Sequence, residues 1–210
     1  MKKIVMTGAT GGIGSEIKKA LLLSNIVVEE LNSSDIDLSE EFSINIDNVD
    51  GFIHCAGVNK IKKISELEKK EFNRIFDINT YSFLKICNQL KFNYGANILA
   101  IGSIYSNNVK EGRIQYSMSK HALYAAVKTM CLEYSDRRIK CNMISPGFVD
   151  TKMTRQNNSD ERIAELNDYA PLGLVKTEDI ANLVLFFIQN NNSITGQNII
   201  IDAGYTCKLF

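Results

Sequence analysis

The feature that most constrains this chain lies at its start, where the apolar run Lys3-Ile4-Val5-Met6-Thr7 breaks into the turn Gly8-Ala9-Thr10-Gly11-Gly12-Ile13-Gly14. A helical rhythm follows at once through Ile13, Ile17, Ala20, Leu21 and Leu22. This order predicts a strand, a glycine turn and a helix lying back on a sheet. Gly8 permits a tight turn, Gly12 lets the chain approach a pyrophosphate, and Gly14 lets helix and strand pack closely. Phosphates at such a turn meet backbone N–H groups and the positive end of the helix. Thr7 and Thr10 can tie the turn to its neighbours. Alone, the cluster fits a structural turn as well.

The alternation continues. Residues 26–31, 49–55, 97–101, 140–144 and 199–202 read as strands, and 67–91, 116–134 and 178–189 as helices. That order predicts an α/β fold, a doubly wound parallel sheet of Rossmann-like type in a three-layer α/β/α arrangement. One step departs from the plan, because residues 32–37 are too few for a crossover between parallel strands, which takes about a dozen or more. The usual third strand and its crossover are therefore expected to be abbreviated or absent, leaving about six main strands with the second at or beside the sheet edge. Residues 38–48 leave room for a short helix only. The chain of 210 residues predicts one domain over 1–210, with 151–170 as a substrate lid.

Charge excludes little but points away from polyanions: Lys plus Arg equals Asp plus Glu, 24 each, so no overall basic field favours nucleic acid or an anionic membrane. The two histidines and five scattered cysteines form no metal-ligand pattern. Met1-Lys2-Lys3 resembles the start of a secretory signal, yet the apolar stretch stops at Thr7, and no run approaches the roughly 20 apolar residues of a membrane span. A cytoplasmic, reducing setting is expected.

The chemistry concentrates in Tyr116-Ser117-Met118-Ser119-Lys120, which sets a phenol and an ammonium one helical turn apart. Tyrosine ionises near pH 10, and a nearby cation favours the phenolate. Ser103 stands just beyond a predicted strand. Right-handed crossovers bring the glycine turn, Ser103 and Ser145-Pro146-Gly147 to one carboxyl edge of the sheet. Such pieces can form a hydride-transfer site.

Together these elements resemble the short-chain dehydrogenase/reductase family in its classical form, over nearly the whole chain. Gly8, Gly12 and Gly14 fall on the family's cofactor glycines, and His54-Cys55-Ala56-Gly57 stands where it usually has Asn-Asn-Ala-Gly. Asn79, Ser103, Tyr116 and Lys120 match its catalytic tetrad. Asn142, Ser145-Pro146-Gly147 and Thr151 match the segment after its sixth strand. Ile194-Thr195-Gly196-Gln197 and Asp202-Ala203-Gly204 look like the closing segment of its 3-oxoacyl carrier-protein reductase branch.

The resemblance implies the roles. Tyr116 exchanges a proton with the substrate oxygen, Ser103 holds that oxygen, Lys120 bonds the nicotinamide ribose and favours the phenolate, and Asn79 bends its helix and orders a water near Lys120. The cofactor is implied to contact Thr7, Gly8, Thr10, Gly12, Ile13 and Gly14 at the turn, then Cys55, Ala56 and Gly57. Pro146, Gly147 and Thr151 fall near the nicotinamide end, where Tyr116 and Lys120 also touch it. At the adenosine end, Asn32 and Ser33 take the place of the carboxylate that NAD-binding chains use, and Asp37-Leu38 matches the adenine-binding pair, with a plain helix cap as the alternative for Asp37. No Arg or Lys near Asn32 or in the turn supplies a counter-charge, so NADP is only slightly favoured over NAD.

The expected activity is interconversion of a small-molecule carbonyl and a secondary alcohol. Reduction of an acyl thioester on a carrier protein is the narrower alternative, and a non-catalytic NAD(P)-binding regulator or scaffold is a second one. Ile104, Tyr105, Phe148, Met153 and 172–174 are candidate pocket walls, whereas His121 should face away. A homodimer or homotetramer is implied, with no metal, no nucleic acid and no membrane partner.

Overall fold

The computed structural model describes residues 1–208. Six strands form one parallel sheet: β1 (Lys3–Thr7), β2 (Val27–Leu31), β3 (Val49–His54), β4 (Phe92–Ile101), β5 (Lys140–Pro146) and β6 (Asn198–Ile201), in the spatial order β2-β1-β3-β4-β5-β6. The reversal of direction falls beside β1, so the carboxyl ends of β1 and β3 flank the crevice where such sheets bind ligands. β2 lies at the edge, and 32–48 contributes no further strand, as the short step after Asn32 predicts.

Side-chain alternation divides the core into two layers. Val5, Phe52 and Ile98 point to one face, where Phe83 of α3 (Ser82–Gln89) and Leu123 and Val127 of α4 (Ile114–Glu133) cover them. Met6, Ile53 and Leu99 point to the other, against Ile17 and Leu21 of α1 (Gly12–Leu23) and Val184 and Phe187 of α7 (Thr177–Gln189). Each fully buried side chain of this size contributes about 1.5–3 kcal/mol of apolar transfer free energy. The central strands are apolar on both faces because helices cover both.

Two local features differ from the expectation. Residues 38–48 form no helix but an extended strap. Its apolar residues Phe42, Ile44 and Ile46 recur every second position or at multiples of two, which suits an extended chain laid on the core and not a helix. Gln89 holds the strap, accepting from Ile44 N at 2.8 Å and donating to Phe42 O at 3.5 Å. The long helix expected over 67–91 is interrupted: α2 (Lys69–Phe76) passes into a π-helical turn, Asp77–Tyr81, before α3. The extra residue in that turn rotates Asn79 inward. In the expected lid region the chain forms α5 (Lys152–Arg155) and α6 (Asp160–Tyr169), and Met153 and Thr154 of α5 line a cavity with Pro146 at the end of β5.

Candidate active site

The glycine turn needs its glycines for contact as much as for conformation. Gly8 has φ +67°, and a Cβ there would fall 2.6 Å from Ala56 N; a Cβ on Gly14 would collide with the Gly8 carbonyl oxygen. The turn therefore presses against the carboxyl end of β3. α1 begins with neither a side-chain cap nor an acidic residue in its first turn. Its N-terminal dipole and N–H groups are left for an anion.

A cleft of about 500 Å³ opens there. Gly8, Thr10, Gly12, Ile13 and Gly14 line it on one side. Cys55, Ala56 and Gly57 line the floor, and Asn32, Ser33, Asp37 and Leu38 the far end. Tyr116, Lys120 and Thr151 complete the near end. The buried Asn32 Oδ1 has no hydrogen-bond partner among the described residues, as suits an acceptor for a ribose hydroxyl. These observations fit a dinucleotide. Glu29 and Glu30 pair with Lys3 at 3.8 Å and Lys18 at 2.5 Å, and the Glu30 carboxylate also accepts from Asn32 Nδ2 at 3.5 Å.

Thr7 is not brought to the cleft. It is fully buried beneath the turn, where its hydroxyl meets His54 Nδ1 at 3.0 Å and accepts from Ala56 N at 3.3 Å. It braces the cleft without lining it. Asp37 is exposed and caps no helix; its carboxylate accepts from Ser39 N at 2.9 Å and Ser39 Oγ at 2.7 Å, bonds that hold its pKa below the usual carboxylate value. Pro146 and Gly147 line an adjoining smaller cavity, not the long cleft.

That second cavity, about 110 Å³, contains the reacting groups. Ser103, at the end of β4, opens a short 3-10 turn in which its Oγ accepts from Tyr105 N at 3.2 Å. Ser103 and Tyr116 line this cavity together, and the Ser103 hydroxyl is among the influences that favour the Tyr116 phenolate. Tyr116 lines both cavities, and Lys120 Nζ, 3% exposed, lies 5.8 Å from the Tyr116 ring centre and donates to Ile101 O at 2.8 Å. Asn79 accepts from Val58 N at 2.8 Å and donates to Val58 O at 2.9 Å and Ser119 Oγ at 3.0 Å. It thereby ties the π turn to the chain after β3 and to α4, beside Lys120.

Burial governs the protonation states. It pushes the Tyr116 phenol above its ordinary value, against the opposing effects of the Ser103 hydroxyl and the Arg113 cation. Lys120 is instead lowered to about 8 by the loss of water around its ammonium. The influences that favour the phenolate are Ser103 and Arg113, not the expected Lys120, and desolvation outweighs them, so the phenol is held protonated.

Ile104, Tyr105, Phe148 and Met153 line the small cavity as expected, whereas Leu172 is exposed and takes no part. His121 turns away, its Nδ1 on Ser117 O at 2.9 Å, and faces a separate apolar depression. Three basic residues are additional to the expected site: Arg74 and Lys152 line the long cleft, and Arg113 the small one. Arg113 is the N-cap residue of α4 and precedes Tyr116 by three residues. Arg74 has no comparable local signal, since tertiary packing alone carries it to Asp37.

A family model described as enoyl-(acyl carrier protein) reductase matches residues 34–206. The 3-oxoacyl-[acyl-carrier-protein] reductase FabG of Rickettsia bellii is 28% identical over 229 aligned residues, covering 95% of each chain. Carbonyl reductase [NADPH] 2 of Sus scrofa is 26% identical, covering 97% of this chain and 96% of its own. A solved short chain dehydrogenase family protein from Francisella tularensis superposes with a TM-score of 0.84 at 25% identity, over 99% of this chain and 100% of its own.

Proposed function

Because the chain belongs to the short-chain dehydrogenase/reductase family, in its FabG-like branch, and is an NAD(P)-dependent oxidoreductase, we propose that it interconverts a small carbonyl compound and the matching secondary alcohol, with Tyr116 as acid and base. The observation that carries this reading is that Ser103 and Tyr116 line one cavity while Tyr116 and the buried Lys120 line the adjoining cleft, with Lys120 Nζ 5.8 Å from the Tyr116 ring centre. When bound, the cofactor supplies or accepts the hydride. In reduction, Ser103 orients the substrate oxygen and Tyr116 gives it a proton as hydride reaches the carbonyl carbon, so C=O becomes CH–OH. The phenolate then regains a proton from solvent by way of the Lys120 side. Asn79 keeps 57–58 and Lys120 in register through its three hydrogen bonds.

NADP is the preferred cofactor in this reading. Asn32 brings no carboxylate to repel a 2′-phosphate, and Arg74 and Lys152 add positive charge to the same cleft. The narrower reading, reduction of a 3-oxoacyl thioester, is supported by the name of the Rickettsia relative. Against a carrier patch on Arg137, its guanidinium is engaged by the Phe92 carbonyl oxygen.

The exposed apolar residues Met118 and Leu132 on α4 support a homodimer or homotetramer. The five free thiols support a reducing, cytoplasmic setting. Among the described residues, no helix is long and apolar enough to cross a membrane, and no cluster suits a metal.

Oxidation of NADPH and NADH by purified protein against diketones, 3-oxoacyl thioesters and keto sugars tests the reading. Turnover of a ketone supports it. Cofactor binding with no turnover across the panel overturns it in favour of a binding protein, and a thioester-only profile selects the narrower activity. Light scattering on the eluting species decides the oligomer.

A further inference from the structure

Arg113 is 6% exposed, and its buried Nη1 has no hydrogen-bond partner among the described residues. No acidic side chain forms an ion pair with it there, and none lines the small cavity into which it faces beside Tyr116, Ser103 and Asn59. An unpaired guanidinium out of water is costly, and a bidentate anion such as a carboxylate is the group that repays the cost. Lys110 lies within electrostatic reach of Arg113 and of Arg162, the latter paired with Glu165 at 2.6 Å.

Building on the carbonyl-reductase reading, we infer that Arg113 is a specificity-determining residue that binds the carboxylate of the substrate, making this an enzyme of short oxo acids and the corresponding hydroxy acids. Arg113 is the N-cap residue of α4, three residues before Tyr116, and both side chains line the same small cavity. A substrate oxygen on Tyr116 and Ser103 therefore leaves room for a carboxylate directly on the carbonyl carbon or one methylene away. The cavity is small, about 110 Å³, as suits a short acid. The buried Asn59 Oδ1 is also without a partner among the described residues and lines the same cavity.

The reaction remains a two-electron reduction. Hydride from the reduced cofactor forms the new C–H bond, the Tyr116 proton forms the O–H bond, and the carboxylate is unchanged.

The test compares kcat/KM for acetoacetate and 2-oxobutyrate with that for their methyl esters, in the wild-type protein, Arg113→Met and Arg113→Lys, with NADPH saturating. The wild type should prefer each acid over its ester by at least about 10-fold, and Arg113→Met should collapse that preference, with Arg113→Lys restoring part of it. A wild-type protein that does not prefer the acids, or a preference that survives Arg113→Met, overturns the proposal while leaving the reductase reading in place. If no substrate is turned over, the reductase reading fails separately, and titration of malonate into the NADPH-loaded protein decides the anion site. Malonate binding to wild type that is lost in Arg113→Met supports it, and equal or absent binding overturns it. Should Arg113→Met fail to fold in a thermal melt, Arg113→Lys and the wild-type acid-to-ester ratio still decide.

Discussion

Thr7 and His54 face one another across β1 and β3, the Thr7 Oγ1 lying 3.0 Å from His54 Nδ1 with both side chains fully buried. The pair replaces a purely apolar contact at the strand ends that carry the cofactor turn. Burial, with the Lys120 cation second, lowers the His54 pKa from 6.5 to about 3.

An acid-side instability follows. The unfolded chain binds a proton on this imidazole below about pH 6.5 whereas the folded chain does not until about 3, so stability is full above 6.5 and is lost as the pH falls through that window. The slope contributed is about 1.4 kcal/mol per pH unit. His54→Asn should unfold in urea with a visibly shallower loss between pH 6.5 and 4. Parallel pH dependence in the two proteins would count against a neutral, buried His54.

Lys120 gives the alkaline counterpart in the cofactor-free protein. Its pKa falls from 10.5 to about 8, so its contribution to stability is full above 10.5 and is lost as the pH falls through 8. Between pH 8 and 10 the wild type should gain about 2 kcal/mol relative to Lys120→Met, measured by chemical denaturation. No relative gain would mean that the ammonium keeps its water.

The strand order and the glycine turn were legible because both rest on local patterns: apolar runs, helical spacing and a crossover too short to hold another strand. The strap over 38–48 was harder to read, since Phe42, Ile44 and Ile46 show a period of two without hydrogen-bonding as a strand. Tyr116 and Lys120 declare themselves by spacing, but their protonation does not. Whether the cation or desolvation wins depends on how deeply α4 is buried, which only the packed structure reveals. Arg113 lay within reach of sequence reasoning, at the start of α4 and three residues before Tyr116, whereas Arg74 reaches the cleft through packing between distant segments.

Gly14→Ala separates helix propensity from close packing. Alanine gains about 1 kcal/mol in a helix interior, yet its methyl would meet the Gly8 carbonyl oxygen. A net destabilisation of about 2–3 kcal/mol is expected, with weakened cofactor binding, because the turn must move. Gly95→Ala is the control: its φ is +75° with nothing within 4 Å of a new Cβ, so only the backbone strain of about 1–2 kcal/mol applies. Thermal melts that rank Gly95→Ala as the worse variant would contradict this packing.

At the adenosine end, NADPH should bind several-fold tighter than NADH, a difference of about 1 kcal/mol. Arg74→Ala should weaken NADPH more than NADH if its guanidinium meets the 2′-phosphate. Fluorescence titration of both reduced cofactors against both proteins measures the two effects. Equal weakening would place Arg74 on the adenine or on nothing, and a strong NADH preference would mean that an acidic side chain turns into the Asn32 site.

The chemical step is tested most directly at Tyr116. Phenylalanine keeps the ring that packs against Tyr105 at 6.2 Å between centres but removes the phenolic proton. Tyr116→Phe should therefore fold and bind cofactor nearly as well as the wild type while losing roughly 100-fold or more in turnover. Ser103→Ala should lower kcat chiefly, since it removes orientation of the substrate oxygen and leaves the donor in place. Lys120→Met should raise the cofactor Kd and lower kcat together, because the ammonium faces both the cleft and the Tyr116 ring. The comparison is made on one demonstrated substrate at saturating cofactor, with a cofactor titration beside it. Near-wild-type turnover by Tyr116→Phe would remove the phenol from the mechanism, whatever the cofactor titration gave.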